Sequence, residues 1–205
     1  EKPVKVDTVL TLVGPQGASK STSFRVLASD AFFSDTSLDL RNKDAYQSIR
    51  GVWLYELAEL ASTRARDVET VKAFLSAPTD RYRPPYGRTV VESHRQVVFV
   101  GSTNEATPLR DPSGARRFWP VSVGKVDIDR IREDRDQLWA EAVAAWKAGE
   151  TWWLSTEQDE ELRDAQEKFQ HEDPWEGFIV DWLTTQAGKG IRLGDILDGP
   201  LNMDP

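Results

Sequence analysis

Lys20 and Ser21 close the run Gly14-Pro15-Gln16-Gly17-Ala18-Ser19-Lys20-Ser21-Thr22, which follows the apolar segment Val9–Val13. A glycine-bearing loop can wrap its backbone N–H groups around phosphate oxygens, while a lysine neutralises the outer phosphate charge and a hydroxyl ligates Mg²⁺. The spacing fits the phosphate-binding pattern G-x-x-x-x-G-K-[ST] at every fixed position but one, since Ser19 stands where the second glycine is expected. Residues 14–22 are therefore the candidate ATP cradle. Hydrolysis would need more. Ser21 and Glu56 can hold Mg²⁺, Glu56 or Glu59 can orient an attacking water, and Asn104 is a polar partner. Arg116 or Arg117 can meet the charge that develops on the γ-phosphate, an arginine often supplied in trans.

The elements that must position these groups alternate between strand and helix patterns. Residues 4–13 read as a buried strand and Ser21–Ser29 as the helix that the loop opens. Asn42–Ile49 reads as a short helix stopped at Gly51. Val52–Tyr55 is a second apolar run, ending at Glu56, with Leu57–Ser62 read as helical. Asp67–Ala77 reads as a helix, Gln96–Gly101 as a third strand entering Ser102-Thr103-Asn104, and Phe118–Val123 as another extended stretch. Asp127–Ala148 is a long amphipathic pattern, read with Ile128, Ile131, Leu138, Ala142 and Trp146 inward. Ser155–His171 and Trp175–Thr185 read as further helices, and Ile191–Leu197 as the next element of a small domain. Such alternation predicts an α/β fold: a mostly parallel central sheet flanked by helices, with ligands at the carboxyl ends of the strands. The loop, Glu56 and Asn104 each follow a predicted strand, so all three are expected at one sheet edge. The expected organisation is a P-loop ATPase core over 1–124, a helical extension over 125–172, and the start of a small helical or winged-helix-like segment over 173–205.

Composition sets outer bounds. The 205 residues include no cysteine and only two histidines, His94 and His171. Disulfides, cysteine-based metal sites and histidine-rich metal sites are thereby excluded. No apolar run approaches the roughly 20 residues that span a bilayer, and a cytoplasmic location is expected. The chain opens on Glu1-Lys2-Pro3, which reads as a piece of something longer.

The net charge of −8 is unevenly spread. Residues 64–117 carry ten Arg/Lys and six Asp/Glu, whereas residues 127–181 carry six basic and seventeen acidic residues. A locally basic middle can present a channel for nucleic acid on an acidic protein. Within it, Arg81-Tyr82-Arg83-Pro84-Pro85-Tyr86-Gly87-Arg88 cannot be helical. An extended hairpin or loop follows, with arginines for phosphates and tyrosines for stacking on bases. The candidate DNA contacts are Lys72, Arg81, Arg83 and Arg88.

Five ordered blocks carry a family resemblance: GPQGASKST (14–22), VWLYELAEL (52–60), VKAFLSAPTDRYRPPYGR (71–88), VVFVGSTN (97–104) and LRDPSGARRFWPV (109–121). With them the chain resembles the superfamily 3 helicases within the AAA+ ATPases. More closely, it resembles the ATPase domain of the virulence-associated protein E family of phage and mobile-element replication proteins. The resemblance implies an ATP- and Mg²⁺-dependent helicase or replication ATPase that works as a ring, a hexamer, with ATP between subunits. Lys20, Ser21 and Glu56 would act in cis and Arg116 or Arg117 in trans, while Lys72 and the 81–88 segment would contact single-stranded or forked DNA. A primase or other N-terminal domain would lie outside this chain. Two departures stand out: Ser19 in place of glycine, and a Glu-x-x-Glu second motif in place of an adjacent acidic pair. Other readings of the same residues are a nucleotide-gated regulatory or DNA-binding switch without strand unwinding, and a monomeric P-loop kinase for a small substrate.

Overall fold

The structure, a computed structural model, describes residues 5–39, 45–58, 65–84, 86–104, 117–167, 169, 176–186 and 190–199. The chain divides into two compact units, Glu1–Gln170 and His171–Pro205.

The first unit is built on five strands: β1 (Val9–Val13), β2 (Phe33–Ser34), β3 (Leu54–Ala58), β6 (Val98–Thr103) and β7 (Phe118–Ser122). They lie in the order β2-β3-β6-β1-β7, and every neighbouring pair is parallel. A parallel sheet is covered on both faces, which is why β1 and β6 read as nearly continuous apolar runs. The antiparallel hairpin of β4 (Thr79–Tyr82) and β5 (Val91–His94) stands apart from this sheet.

Strand alternation sends side chains to two different cores. On one face, helix α1 (Lys20–Ala28) brings Phe24 and Ala28 against Phe33, Leu54 and Val100. On the other, α2 (Ala45–Ser48) and α3 (Ala65–Leu75) bring Ala45, Phe74 and Leu75 against Val9, Tyr55 and Phe99. Full burial of each large side chain here stabilises the fold by about 1.5–3 kcal/mol.

Helix α4 (Ile128–Lys147) begins at Asp127, whose carboxylate accepts from Arg130 N at 3.0 Å. It packs on α1 through Trp139, whose indole N–H donates to Leu27 O at 2.9 Å and whose ring meets Trp53 edge-on. Trp53 in turn stacks on Phe32. This corrects the inward face read from sequence. Ile128 and Ile131 are half-buried, but Leu138 and Trp146 are 46% and 60% exposed and Ala142 is exposed too. The helix turns to satisfy Trp139, which shifts the apolar stripe outward over its second half. Helix α5 (Thr156–Glu167) is tied to β7 by Gln166, which donates to Phe118 O at 2.7 Å.

β3 also departs from expectation. It runs through Glu56 to Ala58, because Glu56, Leu57 and Ala58 pair with Val100, Gly101 and Ser102 of β6. Leu57 and Ala58 are thus strand, not helix; residues 59–62 lie outside the described residues.

The second unit contains α6 (Glu176–Thr185) and α7 (Leu193–Asp198). The Asp195 carboxylate caps α7 by accepting from Arg192 N at 2.8 Å. Among the described residues no helix is long and apolar enough to cross a membrane.

Candidate functional site

The loop between β1 and α1 is held from both neighbouring strands. Gly14 N donates to Thr103 O of β6 at 3.2 Å, Val123 N beyond β7 donates to Val13 O at 2.8 Å, and Val126 N donates to Ala18 O at 3.0 Å. Gly14 is sterically required, since a Cβ there would lie 2.2 Å from the Val123 carbonyl oxygen. The loop then turns through two left-handed residues, Gly17 (φ 80°) and Ser19 (φ 63°). Ser19 is the N-cap of α1, yet its side chain makes no capping bond and the first turn holds no acidic residue. The amides at this helix end are therefore donors of the kind a phosphate accepts from.

Lys20 begins α1 and turns back under the loop, only 7% exposed. Its ammonium donates to Gly14 O, Pro15 O and Asn104 Oδ1, each at 2.8 Å. Those three bonds use the full donor capacity of an ammonium. Asn104 directly follows β6, so Lys20 and Asn104 are joined at the carboxyl edge of the sheet.

Glu56 stands on β3, on the α1 face with Leu54, and is 2% exposed. Ser21 Oγ donates to Glu56 Oε1 at 2.7 Å. Ser102 of β6 donates to the same oxygen, and the two serine hydroxyls are 3.3 Å apart. A carboxylate and two hydroxyls from a helix and two strands thus meet beside the loop. Ser102 escaped the sequence reading. Its signal was the strand period: Val98, Val100 and Ser102 share one face of β6 and lead to Asn104.

The structure joins Lys20 with Asn104 and Ser21 with Glu56. Among the described residues no group of three or more His, Cys, Asp or Glu could hold a metal ion. The Ser21–Glu56 pair instead offers hard oxygens of the sort Mg²⁺ takes from a protein when phosphates and water complete its shell.

Other sequence candidates fall elsewhere. Glu59 and Arg116 lie outside the described residues. Arg117 precedes β7 at the amino edge of the sheet, where Phe118 pairs with Val9. Its side chain is 16% exposed, with Nε 3.9 Å from Asp7 Oδ2 and Nη2 donating to Ser76 Oγ at 3.3 Å. Burial disfavours the charge on Asp7, but its hydrogen bond to Lys5 and the charges of Lys5 and Arg117 outweigh that, holding its pKa below the ordinary 3.8. The 14–19 loop begins at the far end of β1, roughly 17 Å away at about 3.3 Å per residue.

The basic segment folds as the β4–β5 hairpin, as expected. A buried ion pair between Arg95 and Asp80 anchors its base, with the Arg95 guanidinium over the Phe74 ring at 4.5 Å. Arg81, Arg83 and Arg88 are exposed, and Arg83 Nε donates to Gly87 O at 2.6 Å. The tyrosines differ. Tyr82 is buried and accepts from Arg50 Nη1 at 2.8 Å, whereas Tyr86 is fully exposed at the turn. Lys72 does not join the arginines: it is 6% exposed, in the last turn of α3. Its burial sets it apart from the exposed arginines, since a helical lysine near a basic loop need not face solvent.

A family model described as the virulence-associated protein E-like domain matches residues 1–171. The chain belongs to this family. No curated protein matches the sequence. Among solved structures, this family member is similar to an A form apo structure of the NrS-1 C-terminal region (residues 305–718), with 17% identity and a TM-score of 0.42. That match covers 82% of this chain and 35% of the other. A second structure of the same region matches at 16% identity and a TM-score of 0.41, covering 80% of this chain and 35% of that one. The chain therefore spans about a third of the length of the structures it matches.

Proposed function

We propose that this domain is a P-loop ATPase of mobile-element DNA replication, hydrolysing ATP with Mg²⁺ between neighbouring copies in a ring, a hexamer, and coupling turnover to helicase movement along DNA. The observation that carries the reading is the convergence of groups from α1, β3 and the end of β6 beside one loop: Lys20 bonded to Asn104, and Ser21 bonded to Glu56. Residues 14–22 would cradle the phosphates, with the α1 amides donating and the Lys20 ammonium exchanging its carbonyl partners for phosphate oxygens. Bound Mg²⁺ would neutralise phosphate charge, held by Ser21 and Glu56. Asn104 would keep Lys20 aligned, and Glu56 or Glu59 would orient the attacking water.

The arginine pair belongs to a neighbour's site in this reading. A full strand length separates Arg117 from the loop of its own chain, farther than its side chain extends. Its ties to Asp7 and Ser76 favour Arg116 as the group that meets a neighbour's γ-phosphate, with Arg117 as its anchor. DNA would lie against the hairpin, where Arg81, Arg83 and Arg88 offer phosphate contacts and Tyr86 a stacking face.

The test is ATP turnover by the purified protein with and without single-stranded DNA. Mg²⁺-dependent turnover that DNA stimulates and Lys20→Ala abolishes is expected. An assembled protein that binds no DNA, and whose turnover DNA leaves unchanged, would contradict the helicase reading. Nucleotide-gated binding with negligible turnover would favour a switch.

A further inference from the structure

We infer that Ser102 is a positioning residue for divalent-cation binding, fixing the Glu56 carboxylate so that it and Ser21 present oxygens to the ion. This rests on the ATP and Mg²⁺ reading above. Ser102 pairs in register with Ala58, two residues beyond Glu56, and alternation puts Ser102 and Glu56 on the same face of the sheet. That face is otherwise apolar, with Leu54, Val100, Phe24 and Phe33 in one cluster. A buried carboxylate among such neighbours takes its orientation from few polar anchors. Among the described residues there are two, both on Oε1: Ser21 from α1 and Ser102 from β6.

The two hydroxyls have different duties. A serine hydroxyl has one proton to donate and two lone pairs. Ser21 opens the helix at the end of the loop, so it can give its proton to Glu56 and a lone pair to the cation. Ser102 lies one strand further in and spends its proton on Glu56 alone. Without it, Ser21 is the remaining hydroxyl on Oε1, and any movement of Ser21 toward the ion moves the carboxylate as well. Removing a partner that orients a metal-binding group typically lowers metal affinity or activity by about 10–100-fold.

The experiment is a Mn²⁺ titration followed by electron paramagnetic resonance, with a non-hydrolysable ATP analogue bound, on wild type, Ser102→Ala and Ser102→Thr. Thermal melting is run alongside. Mn²⁺ affinity should fall about tenfold in Ser102→Ala and return to within a few-fold of wild type in Ser102→Thr. Unchanged Mn²⁺ affinity in Ser102→Ala overturns the inference. So does an equal loss in both variants that tracks an equal drop in melting temperature, which would make Ser102 a packing residue. Should Ser102→Ala not fold, Ser102→Cys, close in size but a weak donor, carries the same outcomes. If wild type itself fails to bind Mn²⁺ with the analogue, the ATP and Mg²⁺ reading is what falls; wild-type binding matched by Ser102→Ala sinks this inference alone.

Discussion

Replacing Ser19 by glycine should stabilise the protein, for a reason that lies in one pair of torsion angles. Ser19 sits at φ 63°, ψ 28°, in the left-handed region, and its side chain makes no capping bond to α1. An L-residue in that conformation costs roughly 1–2 kcal/mol. Glycine adopts it freely but gives up about 0.5–1 kcal/mol through the greater freedom of its unfolded chain. The difference favours Ser19→Gly by about 0.5–1 kcal/mol, and no hydrogen bond is lost in exchange. For a chain of this size that is a melting-temperature rise of roughly 1–4 °C. Ser19→Ala keeps the strain and should stay within about 0.5 kcal/mol of wild type. Ser19→Val adds a β-branch to the left-handed backbone and should fall below both. Urea and thermal unfolding of the four proteins should therefore order them Gly above Ser and Ala, with Val lowest. ATP affinity should tighten in Ser19→Gly, by no more than about fivefold, because the loop cannot gain more than the strain it releases. A less stable Ser19→Gly, or a Ser19→Val as stable as Ser19→Ala, would refute the strain argument.

Three further outcomes are expected. Asp80→Asn leaves the Arg95 guanidinium buried without its counter-charge and should cost about 3–5 kcal/mol in urea unfolding, with the hairpin base loosening first in hydrogen exchange. Asp7 has a folded-state pKa below 3.8, so its contribution to stability is present above that value and lost as pH falls through the lower one. Asp7→Asn should therefore melt below wild type at pH 7, the gap closing as pH falls below 3.8; a gap independent of pH would show that Asp7 acts through packing alone. Replacing Arg81, Arg83 and Arg88 together by alanine should weaken single-stranded DNA binding and flatten its salt dependence by about two units of slope, measured by fluorescence anisotropy, while an unchanged slope would place the DNA elsewhere.

Much of the fold was legible because a sheet buried on both faces writes long apolar runs. Val9–Val13 and Val97–Val100 are such runs, and the groups at their ends, the Gly14 loop and Asn104, fall where expected. What failed depended on partners distant in the chain. Leu57 and Ala58 have no local strand signature; β6 alongside extends β3 through them. The apolar spacing of α4 permits more than one inward face, and Trp53 and the Leu27 carbonyl select Trp139 over Leu138. Lys72 looked like a surface cation because burial of a lysine is decided by neighbours that spacing does not reveal. Ser102 sits in Gly-Ser-Thr-Asn, which reads as the start of a turn, although the period of β6 carries it to the face that Glu56 occupies. Arg117 was readable as half of a pair, but its tie to Asp7 follows from β7 pairing beside β1.

Hydrolysis between subunits requires that one chain supply the loop and its neighbour the arginine. Lys20→Ala and Arg116→Ala proteins, each inactive alone, can be mixed in equal amounts and assayed for ATP turnover with DNA. Random assembly pairs an intact loop with an intact arginine at about a quarter of interfaces, so the mixture should recover up to about a quarter of wild-type turnover. A mixture as inactive as its two components, in protein shown to co-assemble, would contradict hydrolysis between subunits.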